Sequence, residues 1–163
     1  MRIAFAADHA GAVMKDELIR RLAATDAGHE LIDLGGDGSD PNDDYPDFAQ
    51  RLGLAIQGNE ADRGILICGS GVGASVAVNK MRGLRSAVCH DTYSAHQGVE
   101  HDHMNVLVLG GRVIGEALAH ELVGAFVGAK QSQEERHLGR LAKIEAIEVK
   151  CGVEPLKSPA AAD

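Results

Sequence analysis

The stretch 65-ILICGSGVG-73 decides the fold. Three aliphatic residues run into Cys68, and glycine then takes every second place at Gly69, Gly71 and Gly73. The apolar run reads as a buried strand, and the glycines read as a tight turn into a helix. Working outward, the same unit recurs along the chain. Residues 2–7 (RIAFAA) read as a short strand, followed by a helix from about Ala10 with Val13, Met14, Leu18 and Leu22 on one side. Residues 29–34 (HELIDL) read as a second strand. A polar loop, 35-GGDGSDPNDDYP-46, leads to a helix that starts at Pro46 and runs to about Gln57. The third strand spans 64–68, and the helix after its glycine turn ends near Met81. A fourth strand at 86–89, a helix from about Asp91, a fifth strand at 105–110 and a helix over roughly 115–128 complete the series. A last helix is expected over about 133–148, where Leu138, Leu141, Ile144 and Ile147 keep helical spacing.

This alternation predicts an α/β fold: a doubly wound, Rossmann-like, five-stranded parallel sheet in three α/β/α layers, with an extra C-terminal helix. One domain is expected over 1–148, and the Pro- and Ala-rich residues 149–163 read as a flexible tail. In such sheets, ligands bind beyond the carboxyl ends of the strands. Asp8-His9, Cys68 to Gly73, and Gly110 to Arg112 all fall at such ends.

Composition narrows the function. Hydrophobic residues make up 45 % of the 163 and aromatics 3 %, so the core must be aliphatic, as parallel sheets require. A net charge of −8 argues against a nucleic-acid or membrane-surface role, since both need a basic face. No apolar run approaches the roughly 20 residues of a membrane span. The three cysteines lack regular spacing and read as free thiols in a reducing, cytoplasmic compartment, and no secretory leader is read at the start.

The backbone amides of a glycine turn at a helix start attract an anion, either a phosphate or an oxyanion formed during reaction. The segment Gly69-Ser70-Gly71-Val72-Gly73-Ala74 matches the dinucleotide pattern G-x-G-x-x-A, with Asp91 near the distance of a ribose-binding acid. That pattern belongs after a first strand, whereas here it follows the third. A nucleotide-binding Rossmann protein is therefore the minor alternative. Cys68 can be a small buried hydrophobe, as Cys89 is expected to be. Its place before a helix start instead favours a reactive thiolate, because that field lowers a thiol pKa from about 8.5.

Metal ligation finds little support. His101 and His103 share a face only on a strand, and no zinc pattern accompanies them. In the acidic loop, Tyr45 occupies the glycine place of a calcium loop and Arg51 its glutamate place. His101 alone can serve as an acid or base with a pKa near 7. Arg136 and Arg140, four apart on a helix with His137 between them, face the same way, as either a solvated basic face neutralised by Glu134 and Glu135 or a phosphate clamp, and Arg112 follows Gly110-Gly111 at the end of the fifth strand.

Jointly, 8-DHAG-11, 44-DYP-46, 65-ILICGSGVG-73, 79-NK-80, 93-YSA-95, His101, 105-NVL-107, 111-GRVIG-115 and 136-RHLGR-140 give a resemblance over roughly residues 1–148. The chain resembles the type B ribose-5-phosphate isomerases, a group that includes allose- and galactose-6-phosphate isomerases. The resemblance implies a cofactor-free aldose–ketose isomerase of a phosphorylated sugar, with ribose 5-phosphate the leading substrate. Tetrose phosphate, allose 6-phosphate and galactose 6-phosphate are the alternatives. It implies that Cys68 is the base, that Gly69, Gly71, Val72 and Gly73 with Ser70 hold the enediolate oxygen, and that His101 opens the furanose ring. Asp8, His9 and Tyr45 would line the sugar, while Arg112, Arg136 and Arg140, with His137, would hold the phosphate. Asp102 stands where the family usually has an asparagine that contacts sugar hydroxyls, and an ionised carboxylate cannot donate a hydrogen bond. Ala74 stands where another branch carries a glutamate base, so Cys68 has no rival. The last helix would serve a neighbouring subunit's site, which implies a homodimer or a dimer of dimers.

Overall fold

The computed structural model describes residues 1–25 and 28–151. Its elements run β1 (Arg2–Ala7), α1 (Ala12–Ala24), β2 (Glu30–Asp33), α2 (Tyr45–Gln57), β3 (Arg63–Cys68), α3 (Val72–Val78), β4 (Ser86–Val88), α4 (Thr92–Asp102), β5 (Val106–Gly110), α5 (Glu116–Gly128) and α6 (Glu135–Cys151). All pairings are parallel, in the order β2-β1-β3-β5-β4. The expected five-stranded α/β sheet is thus present. One detail escaped the sequence: β5 enters between β3 and β4, which leaves the short β4 at the edge.

Alternation along the central strands sorts the core into two layers. Ile3, Phe5, Ile65, Ile67, Leu107 and Leu109 face α1, α4 and α5, where Leu18, Val99, Leu122 and Phe126 meet them. Ala4, Ala6, Leu66, Cys68, Val106 and Val108 face α2 and α3, where Phe48, Leu52 and Val78 complete the layer. Small residues on β1 let α2 lie close to the sheet. Several boundaries differ from the reading above. Cys89 lies beyond β4, α3 stops at Val78, and α6 extends to Cys151. Cys151, expected in the tail, is an exposed residue of that helix. The remainder of the expected tail, 152–163, lies outside the described residues.

The strand order reverses between β1 and β3, the point where an open α/β sheet leaves a crevice. Asp8 continues β1 into that crevice, its N–H donating to the Ile67 carbonyl at 3.2 Å. The glycine turn continues β3 beside it. Gly36 closes the β2 side: its φ is +88°, and a Cβ there would stand 1.7 Å from the Ala7 carbonyl oxygen. Only glycine fits where loop and strand cross so closely.

Candidate active site

At the crevice the Cys68 side chain points back into its own turn. The Gly71 N–H donates to Cys68 Sγ at 3.1 Å, and the Val72 N–H donates to Ser70 Oγ at 3.3 Å. Gly71 holds φ at +84°, which turns its amide toward the sulfur. Cys68 is buried, 4 % exposed, at the edge of the core layer beneath α2 and α3. Its neighbour in sequence type, Cys89, sits in a different field: burial pushes its thiol up to about 11. Of the two buried cysteines, Cys68 is the one with an amide donor on sulfur.

The crevice walls come from three strand ends. Asp8 is buried, and its Oδ1 accepts the N–H groups of Ala10 and Gly11 at 2.9 and 3.1 Å. Burial still holds its carboxyl above the ordinary carboxylate range, with the two amides opposing. His9 is clamped by Asp43, whose Oδ1 accepts the His9 backbone N–H at 2.9 Å and lies 2.6 Å from Nδ1. Among the described residues, His9 Nε2 has no hydrogen-bond partner. The Tyr45 ring lies over Gly73, where a Cβ would come within 2.6 Å of the phenol carbon Cζ. Arg112 closes the third side, donating its backbone N–H to the Gly69 carbonyl at 3.0 Å. Its side-chain Cδ stands 3.8 Å from where a Gly69 Cβ would be, so the exposed guanidinium borders the glycine turn.

The other expected site residues form a second group. His101 and His137 stack with ring centroids 3.9 Å apart and planes tilted by 39°. Arg136 Nε donates to His137 Nε2 at 3.0 Å and lies 3.1 Å from Glu134 Oε2. His137 is buried and its Nδ1 has no partner among the described residues. Burial first, then His101 and Arg136, hold its pKa below the ordinary histidine value. Arg140 is exposed one turn along the same helix. Asp102 lines a cavity of about 230 Å³ with Asn79, Arg85 and Ile144.

The two groups do not meet within one chain. Cys68 ends β3, whereas α4 begins at the carboxyl end of β4 and runs back to the start of β5. His101, in the last turn of α4, therefore lies at the amino edge of the sheet. At about 1.5 Å per residue, the eleven residues of α4 span roughly 16 Å. The helix also removes the metal reading of H-D-H, since His101 is helical and His103 is a left-handed cap with φ 51°. Asp91, weighed as a ribose ligand, instead caps α4: its Oδ1 accepts the Ser94 N–H at 2.7 Å.

Two residues escaped the sequence reading. Asp43 reaches His9 across 34 positions, and no local pattern announces that contact. Gln97 Nε2 lies 2.7 Å from His101 Nδ1, at the i, i+4 spacing of one helix face.

Comparison with known proteins shows the family. Residues 3–144 match the model of the Ribose/Galactose Isomerase family. Ribose-5-phosphate isomerase B of Escherichia coli is 45 % identical over 147 residues, covering 90 % of this chain and 96 % of that one. A D-erythrulose-4-phosphate isomerase of Pectobacterium atrosepticum is 39 % identical, covering 80 % and 84 %. The structure of the Mycoplasma genitalium ribose-5-phosphate isomerase B, with ribulose 5-phosphate bound, superposes with a TM-score of 0.84 at 35 % identity, covering 91 % and 97 %. By fold, motif and similarity over nearly its whole described length, the chain belongs to the ribose/galactose isomerase family.

Proposed function

We propose that this isomerase interconverts ribose 5-phosphate and ribulose 5-phosphate through a cis-enediolate, in a site shared by two copies of the chain. The observation that carries it is the Cys68 sulfur, turned into the crevice wall with the Gly71 amide on it at 3.1 Å. In the open-chain aldose, the Cys68 thiolate takes the proton from C2. The electron pair moves into a C1–C2 double bond, and the carbonyl oxygen O1 becomes the charged enediolate oxygen. Amides of Gly69 to Gly73 and the Ser70 hydroxyl stabilise that charge where it develops. A proton passes from O2 to O1, the thiol returns its proton to C1, and the C2 carbonyl forms. Asp8, His9 and Tyr45 orient the sugar hydroxyls. Arg112 binds the phosphate from the crevice side, and Arg136, His137 and Arg140 bind it from the neighbouring chain.

The opposite placement of Cys68 and His101 supports the shared site. A twofold pairing that sets the α6 face of one copy over the crevice of the other brings the two groups together. Leu138, Ile144, Ile147 and Val149 are exposed apolar residues of that helix, some of which such a pairing would cover. The phosphate side chains suit any aldose phosphate. One carbon changes affinity by only about 1–3 kcal/mol, so a tetrose phosphate is the second reading, favoured by the erythrulose-4-phosphate relative.

A panel of four- to six-carbon aldose phosphates, assayed for ketose formation with chelator present, tests the substrate. The Cys68→Ala variant tests the base. It should lose proton exchange at C2 by at least about a thousandfold while phosphate-ester binding holds. Undiminished turnover in that variant would remove the assignment.

A further inference from the structure

Gln97 and His101 sit one turn apart on α4, with Gln97 Nε2 at 2.7 Å from His101 Nδ1. With the Gln97 amide placed this way its nitrogen donates, and Nδ1 is the acceptor without a proton. A neutral imidazole has a single N–H, which then sits on Nε2. Glu100 Oε2 is 3.6 Å from that atom, too far to accept its hydrogen. Among the described residues, His101 Nε2 has no acceptor within hydrogen-bond distance. The stacked neighbour has the opposite pattern. Arg136 Nε donates to His137 Nε2 at 3.0 Å, so the His137 proton sits on Nδ1. The two rings, 3.9 Å apart and tilted by 39°, each meet one nitrogen donor, on Nδ1 of His101 and on Nε2 of His137.

We propose that Gln97 is a positioning residue that holds His101 in its Nε2–H tautomer and so arms it to open a furanose ring. This rests on the reading of His101 as the ring-opening acid. In that step the C1–O4 bond breaks and O4 takes the proton from Nε2. The vacated Nε2 lone pair then takes the proton of the anomeric hydroxyl, and the C1=O1 carbonyl forms. The imidazole ends as it began, and the net change is one proton moved from O1 to O4. The reversed tautomer has no proton on Nε2 to give.

The decisive variant is Gln97→Glu, because a carboxylate only accepts and draws the imidazole proton to Nδ1. Two readouts are made on the intact full-length protein. Long-range nitrogen–proton NMR of histidine-labelled protein reports the His101 tautomer. Kinetics compare ribose 5-phosphate turnover with deuterium exchange at C1 of ribulose 5-phosphate. That ketose carries its phosphate on O5 and has no furanose ring to open. The wild type should show Nε2–H and the variant Nδ1–H. Ribose turnover should fall at least about tenfold, and ketose exchange should stay within about twofold. Gln97→Met, which removes the donor without adding an acceptor, should show mixed tautomers and a smaller loss, again confined to ribose. It serves as the test if the glutamate variant does not fold. A wild-type His101 in the Nδ1–H form, or a tautomer indifferent to both substitutions, overturns the proposal. A tautomer that swaps while ribose turnover holds overturns instead the assignment of His101 as the ring-opening acid.

Discussion

Cys68 and His101 stand at opposite edges of one sheet. Cys68 closes β3 at the carboxyl edge, and α4 carries His101 back to the amino edge before β5 begins. On the roles proposed for the two residues, this placement calls for a second copy of the chain to bring an imidazole to the sulfur.

Asp8 gives a pH-dependent stability. Burial raises its carboxyl above the ordinary 3.8, against the pull of the Ala10 and Gly11 amides. A group raised in this way contributes stability that is complete below its unfolded pKa and is lost as pH rises through the folded value. At pH 7 the ionised Asp8 is therefore a cost. Asp8→Asn keeps an Oδ1 for both amides and should raise the thermal midpoint at pH 7 by roughly 2–5 °C. The gain should vanish as pH approaches 4, while turnover falls at every pH. Calorimetry across that range checks it, and a gain independent of pH would contradict the assignment of the cost to charge.

Gly36 and Gly83 separate backbone strain from steric overlap. Both have positive φ, +88° and +75°, but a Cβ at Gly36 meets the Ala7 carbonyl oxygen at 1.7 Å and one at Gly83 meets nothing within 4 Å. Gly83→Ala should cost about 1–2 kcal/mol from the left-handed conformation alone. Gly36→Ala should cost upwards of about 3 kcal/mol, since strand and loop must part. Urea denaturation of the two variants gives the difference directly, and equal costs would deny the close crossing.

Much of this was legible in the chain. Apolar runs fixed the strands, because a parallel sheet buried on both faces leaves few polar positions in them. The glycines after Cys68 placed the turn, because a left-handed Gly71 and a ring stacked on Gly73 tolerate nothing larger. The slot of β5 between β3 and β4 was not legible, since parallel strands of similar composition carry no mark of their neighbours. The Asp43–His9 clamp depends on how the acidic loop folds back, which no spacing encodes. Gln97 was within reach of an i, i+4 argument, but only once α4 is extended through Asp102.

Arg112 should act on binding more than on chemistry. Its guanidinium borders the glycine turn and is exposed, with no acidic partner within 4 Å among the described residues. Arg112→Gln should raise KM for ribose 5-phosphate about 10–100-fold and change kcat much less. Inhibition by inorganic phosphate should weaken in parallel. A fall in kcat with KM unchanged would place the arginine at the reacting carbons instead.

The most direct test of the shared site pairs two defective chains. Cys68→Ala and His101→Asn are made with different tags, and the heterodimer is purified from co-expression. Each variant alone should be nearly inactive on ribose 5-phosphate. In the heterodimer one site carries both defects and the other carries neither, so about half the wild-type kcat should return with KM unchanged. A heterodimer as inactive as its parents would show that sulfur and imidazole never serve the same sugar from two chains.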